Sequence, residues 1–122
     1  MNELRLDIDF ITYNEYSNIE RTNKYKAASI KKRYTDITAL LYSSKKIKLT
    51  NCLHDVVIYW YRVNNRHDPD NIYFAVKFIL DGIVNSGALP KDGRKNIRHI
   101  HHNIYESDTN FNYCIVKMKE VC

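Results

Sequence analysis

Residues 55–93 read DVVIYWYRVNNRHDPDNIYFAVKFILDGIVNSGALPKDG, and the parsing of this stretch decides the fold. Residues 55–63 are rich in β-branched and aromatic side chains, which suits a strand buried in a sheet. A polar break follows. Pro69 pushes Asp68 away from helical backbone toward an extended conformation. From about residue 71 to 86 the pattern turns helical, with Ile72, Val76, Ile79 and Ile83 gathered on one side. Asp70 suits the N-cap of this helix and Gly87 its C′ position. The chain holds three glycines and two prolines, and Gly87, Pro90 and Gly93 together mark its main break.

Outward from this stretch, residues 4–11 alternate, with Leu4, Leu6, Ile8 and Phe10 on one face of a half-buried strand. Residues 17–43 read as a helix in which Ile30, Tyr34, Ile37 and Leu41 recur at helical spacing. After the break, two strands are predicted at residues 96–105 and 112–119, with the polar run 106–110 as their turn. The order is β-α-β-α-β-β. It predicts an α/β (α+β) fold with a mixed sheet, helices mainly on one face, and a single domain over residues 1–122.

The composition is that of an ordinary globular protein, 44% hydrophobic and 27% charged, with a net charge of +5 and a pI near 9.1. A basic balance favours polyanionic partners, nucleic acid foremost. Cys52, Cys114 and Cys122 form no C-x-x-C pair, and the acidic N-terminal residues do not read as a signal sequence. Reduced thiols and a cytoplasmic location are therefore expected. No apolar run approaches a membrane span, and no Walker or dinucleotide motif suggests a nucleotide cofactor.

The chemistry concentrates between residues 65 and 93. Asp68 and Asp70 are two apart, so an extended backbone would aim both at one point. At about 100° per residue, Phe74, Lys77 and Asp81 fall within about 40° of Asp70, opposite the apolar stripe. Asp92 arrives from the loop after the helix. Close carboxylates repel one another and call for a cation. Hard oxygen donors suit Mg²⁺, or Mn²⁺, which can activate water and polarise a phosphodiester. A nearby lysine would neutralise charge growing on the phosphate. The bland alternatives are that Asp70 only caps a helix, that Asp92-Gly93 is only a turn, and that Lys77 and Asp81 form a surface pair.

These residues resemble the RusA family of Holliday-junction resolvases. A D-x-D-N segment (Asp68, Asp70, Asn71) opens a helix, a K-x-x-x-D pair (Lys77, Asp81) follows, and a glycine-containing loop ends in Asp92. The segment 14–35, NEYSNIERTNKYKAASIKKRYT, is similar to the variant of this family found in phages and prophages. In the better-known short form the lysine comes one turn earlier, where this chain has Phe74. The resemblance implies a RusA-like fold and a homodimer that cuts branched DNA, the four-way junction, in recombination and repair. It implies Mg²⁺-dependent hydrolysis with catalytic Asp68, Asp70 and Asp92, a supporting Lys77, and Asn71 and Asp81 beside them. The alternative is a RusA-like DNA-binding module without catalysis.

Phosphate contacts need basic side chains. The candidates are Arg21, Lys24, Lys31 and Lys32 on the first helix, Arg66 before the motif, and Lys91, Arg94 and Lys95 around Asp92. His99 and His101 would share a strand face. No acidic or cysteine partner stands at a zinc-site spacing, so they read as surface or DNA-facing histidines.

Overall fold

The computed structural model describes residues 2–121. Its elements are β1 (Asn2–Leu6), α1 (Tyr13–Thr22), α2 (Lys24–Ser44), β2 (His54–Arg62), α3 (Pro69–Tyr73), α4 (Val76–Asn85), β3 (Ile97–Glu106) and β4 (Tyr113–Glu120). The four strands form one mixed sheet in the order β1-β4-β2-β3. β4 is antiparallel to both β1 and β2, whereas β3 lies parallel to β2 at the sheet edge. The predicted class, a mixed sheet with helices on one face, is what the chain adopts.

Side-chain alternation explains the layering. Leu4, Leu6, Val56, Ile58, Trp60, Cys114, Val116 and Met118 are buried on one face of the sheet, against Phe78, Ile79 and Ile83 of α4. Phe10, Tyr34 and Phe78 stack between the helices, and Trp60 meets Phe10 edge-on. The opposite face carries no helix. There Tyr105, Tyr61 and Tyr113 form a row across three strands, with the Arg5 guanidinium 3.8 Å from the centre of the Tyr113 ring.

Both predicted helices are broken in two. Asn23 adopts extended backbone (φ −157°, ψ 96°), and its side chain accepts the Lys26 N–H at 3.0 Å, so it starts α2 anew. The second break is a tightening. Ala75 bonds back to Ile72 O and Phe78 to Ala75 O, each three residues away. Such a turn advances about 120° per residue rather than 100°. Positions beyond it are therefore rotated, and Phe78 goes into the core while Val76 moves to its margin.

Three further expectations are corrected. The first strand ends at Leu6, although Ile8 and Phe10 still pack on the core. β3 and β4 are not a hairpin, because β2 lies between them. Cys114 is a buried free thiol that burial pushes up to about 12, but Cys52 is disulfide-bonded; Cys122 lies outside the described residues. Gly87 does take the C′ role, with φ 83°. Among the described residues no helix is long and apolar enough to cross a membrane.

Candidate functional site

The parallel strand pair fixes where the acidic residues lie. His54 pairs with Ile97 at one end of β2 and β3, and Arg62 with Glu106 at the other. Everything that follows Arg62 therefore starts at the carboxyl end of the pair. Everything that leads into Ile97 arrives at the amino end. β2 has nine residues, so the two ends are roughly 26 Å apart at about 3.3 Å per residue.

At the carboxyl end, a cavity of about 720 Å³ opens between the 63–69 loop and the tip of β3; Arg62, His67, Asp68, Ile72, Tyr105 and Glu106 contribute to its wall. Ligand sites of open α/β sheets favour this end of parallel strands. Asp68 occupies the N-cap position of α3 with extended backbone (φ −67°, ψ 154°), as a residue before proline should. Its side chain makes no capping bond. Asp70 is not the N-cap: it lies in the first helical turn, so strand alternation does not set the directions of these two side chains. Both carboxylates are exposed, and among the described residues neither takes part in a hydrogen bond or ion pair with a side chain or backbone group. The reading of Asp70 as a cap is thereby excluded.

Asn71, the fourth residue of the D-x-D-N segment, has a structural task. It is buried, and its Oδ1 accepts the Asn14 N–H at 3.0 Å, tying α3 to the start of α1. Phe74 sits in an aromatic cluster with Tyr13, Tyr16 and Phe78. Lys77 lies beyond the tightened turn, with Nζ 3.1 Å from Asp81 Oδ1, so its observed partner is Asp81.

Asp92 lies at the other end. Gly93 O accepts the N–H groups of Asn96 and Ile97, and Ala88 O accepts that of Leu49. Asn96 in turn bonds Asn51 through its side chain and His54 through its carbonyl. These bonds hold the 88–96 loop against the amino end of β2. A single chain therefore does not bring Asp92 to Asp68 and Asp70, contrary to the expectation of three carboxylates on one ion. Among the described residues, the three-residue group of His, Cys, Asp or Glu whose ligand atoms lie within 4.8 Å of one another is instead Asp55, His99 and His101.

The basic candidates fall in four places. Arg21 lies in the last turn of α1 and Lys24 opens α2, both exposed. Lys31 and Lys32 border a shallow groove with Asp81 and Asn85 between α2 and α4, and Lys32 is paired with Asp36 at 2.7 Å. Lys91, Arg94 and Lys95 are exposed around Asp92 at the amino end. Arg66 is exposed in the 63–68 loop, two residues before Asp68.

Arg62 escaped the sequence reading. It is buried at the end of β2, 3.8 Å from Asp9, with one guanidinium nitrogen 3.4 Å from His67 Nδ1. Burial lowers its pKa from the usual arginine value, with Asp9 opposing. The signal was available: Arg62 continues the inward-facing series Val56, Ile58, Trp60, so strand period alone would place a cation under the cavity. The sequence matches no family model and no curated protein.

Proposed function

We propose that this chain is the subunit of a homodimeric, Mg²⁺-dependent endonuclease for branched DNA, of the RusA type. The observation that carries the reading is a pair of exposed carboxylates that have no partner among the described residues: Asp68, in the wall of the cavity where β2 and β3 end, and Asp70, in the first turn of α3 two residues on. Their donors are hard oxygens, which fit Mg²⁺ or Mn²⁺. When bound there, such an ion supplies an activated water and neutralises charge on the scissile phosphate. Asp68 and Asp70 hold the ion. Arg62 and Arg66 give the same end of the sheet positive charge for the DNA backbone.

The third carboxylate comes from a second copy. β3 is an edge strand of ten residues, paired with β2 on one side and with no strand of the described residues on the other, and Ile100, Ile104 and Tyr105 on it are exposed. Such an edge is a template for another strand. A two-fold axis through His102 would pair two copies of β3 antiparallel, setting Arg98 against Glu106 and Ile100 against Ile104. Antiparallel pairing also brings the amino end of one copy to the carboxyl end of the other. Asp92 of the second copy then approaches Asp68 and Asp70 of the first, and two symmetric sites suit a two-fold junction.

The experiment is complementation between dead variants. Asp70→Asn and Asp92→Asn are each expected to lose nicking of a synthetic four-way junction with Mg²⁺. After unfolding and refolding as a 1:1 mixture, about half the dimers are mixed, and each mixed dimer holds one intact site of two. Recovery of about a quarter of wild-type activity is expected. Wild-type nicking with no recovery in the mixture would place the whole site within one chain. Junction binding without nicking by the wild type would leave a non-catalytic DNA-binding module.

A further inference from the structure

A separate set of donors lies on the helix-free face of the sheet, toward the amino end of β3. Asp55 of β2 and His99 and His101 of β3 each offer one ligand atom, and these atoms lie within 4.8 Å of one another. Local irregularity creates the arrangement. The β2–β3 register shifts between His54 and Val56, so that His54 pairs with Ile97 but Val56 with Ile100. Bulges of this kind re-aim side chains. Here Asp55 Oδ1 accepts the backbone N–H of His99 at 3.2 Å and lies 3.7 Å from His99 Nδ1. Arg98 grips the same carboxylate through Nε at 3.0 Å and a terminal nitrogen at 2.7 Å. The carboxylate is thus held in place, as outer partners hold a metal ligand. Both imidazoles are exposed and can rotate toward it.

We propose that Asp55, His99 and His101 form a surface site for a borderline divalent transition ion, with Zn²⁺ as its reference occupant. Two imidazoles and one carboxylate suit Zn²⁺, Co²⁺ or Ni²⁺ and give Mg²⁺ too few oxygens. Ligand atoms around tetrahedral Zn²⁺ are about 3.4 Å apart, so closure requires side-chain rotations of about 1 Å and no backbone movement. Three protein ligands leave a position open for water or an outside donor. Arg98 plays two opposing parts: it fixes Asp55, and its positive charge weakens cation binding. The site is independent of Asp68 and Asp70, which belong to the other end of the strand pair.

The test is calorimetric titration of the full chain with ZnCl₂, with Co²⁺ absorption in the visible range to report inner-sphere ligation. One ion per chain is expected, and excess Mg²⁺ should not compete. Asp55→Asn and His101→Ala should each weaken binding at least about ten-fold, while Arg98→Gln should tighten it. His101→Ala removes only an exposed side chain, so it stays informative if Asp55→Asn disturbs the strand pair. Absence of Zn²⁺ binding by the wild type would overturn the proposal. Wild-type affinity in both ligand variants would also overturn it, since the ion would then be sitting on other histidines.

Discussion

Gly82→Ala should destabilise the protein, although alanine is the better helix former. Gly82 lies where α4 packs tightly on Thr35 and Thr38 of α2. A Cβ there would sit 2.6 Å from both Cβ and Cγ2 of Thr38 and 3.0 Å from the carbonyl oxygen of Thr35. Carbon atoms prefer about 3.5–4.0 Å, so the helices must part by roughly 1 Å. Thr38 is fully buried and its hydroxyl donates to Tyr34 O at 3.0 Å, which holds the threonine in place. Parting the helices opens gaps beside Phe78, Ile79 and Ile83, all buried on the same helix. Overpacking of this kind costs about 1–3 kcal/mol, against a helix-propensity gain of about 1 kcal/mol. Contacts as short as 2.6 Å put the cost in the upper part of that range, about 2–3 kcal/mol, so the net loss is about 1–2 kcal/mol, or about 3–8 °C in Tm for a chain of this length. Urea unfolding followed by circular dichroism reads it as a lower midpoint at unchanged slope. Adding Thr38→Ala should recover part of the loss, because Cγ2 is removed while Cβ remains. An unchanged or raised midpoint in Gly82→Ala would refute the close approach of α2 and α4.

His102 accepts the Trp60 indole N–H at 3.0 Å, and its ring stacks 4.1 Å from that of Tyr73. Burial first, and His101 second, hold its pKa below the usual 6.5. The unfolded chain therefore takes up this proton first as pH falls, so the stability His102 contributes is present above about pH 6.5 and lost below it. Urea midpoints between pH 7.5 and 5 should fall for the wild type and flatten in His102→Gln; equal slopes would contradict this. Asp68→Asn and Asp70→Asn should leave unfolding free energy within about 1 kcal/mol, because neither carboxylate has a partner to lose among the described residues. A larger drop in either would assign that residue a structural role.

The sheet and its buried face were legible because strand period shows directly in Leu4, Leu6 and in the run Val56, Ile58, Trp60. Pairing was less legible, since alternation says which face is inside but not which strand is a neighbour. β3 and β4 looked like a hairpin because a short polar turn joins them. The exposure of β3, with Arg98, His99, His101 and Glu106 along it, was the available sign of an edge strand. The helix breaks depended on local bonds: an asparagine side chain competing for Lys26 N–H, and a turn tightened at Phe74 and Ala75. Within the candidate site, Asp68 and Asp70 were legible as a chemical pair, but the position of Asp92 depended on strand direction. The Asp55–His99–His101 cluster was hidden for a related reason, as its members come from two strands that meet only in the folded chain.

The position of β4 has a consequence for synthesis on the ribosome. β1 is made before the other three strands, yet among the described residues its sheet partner is β4, with Leu4 opposite Val116 and Leu6 opposite Cys114. Until those late residues emerge, β1 has an unsatisfied edge, β2 is paired on one side only, and the apolar faces of both stay open to other chains. Nascent chains stalled before residue 113 should thus be the form most dependent on chaperones, and assembly of the sheet waits on its final strand.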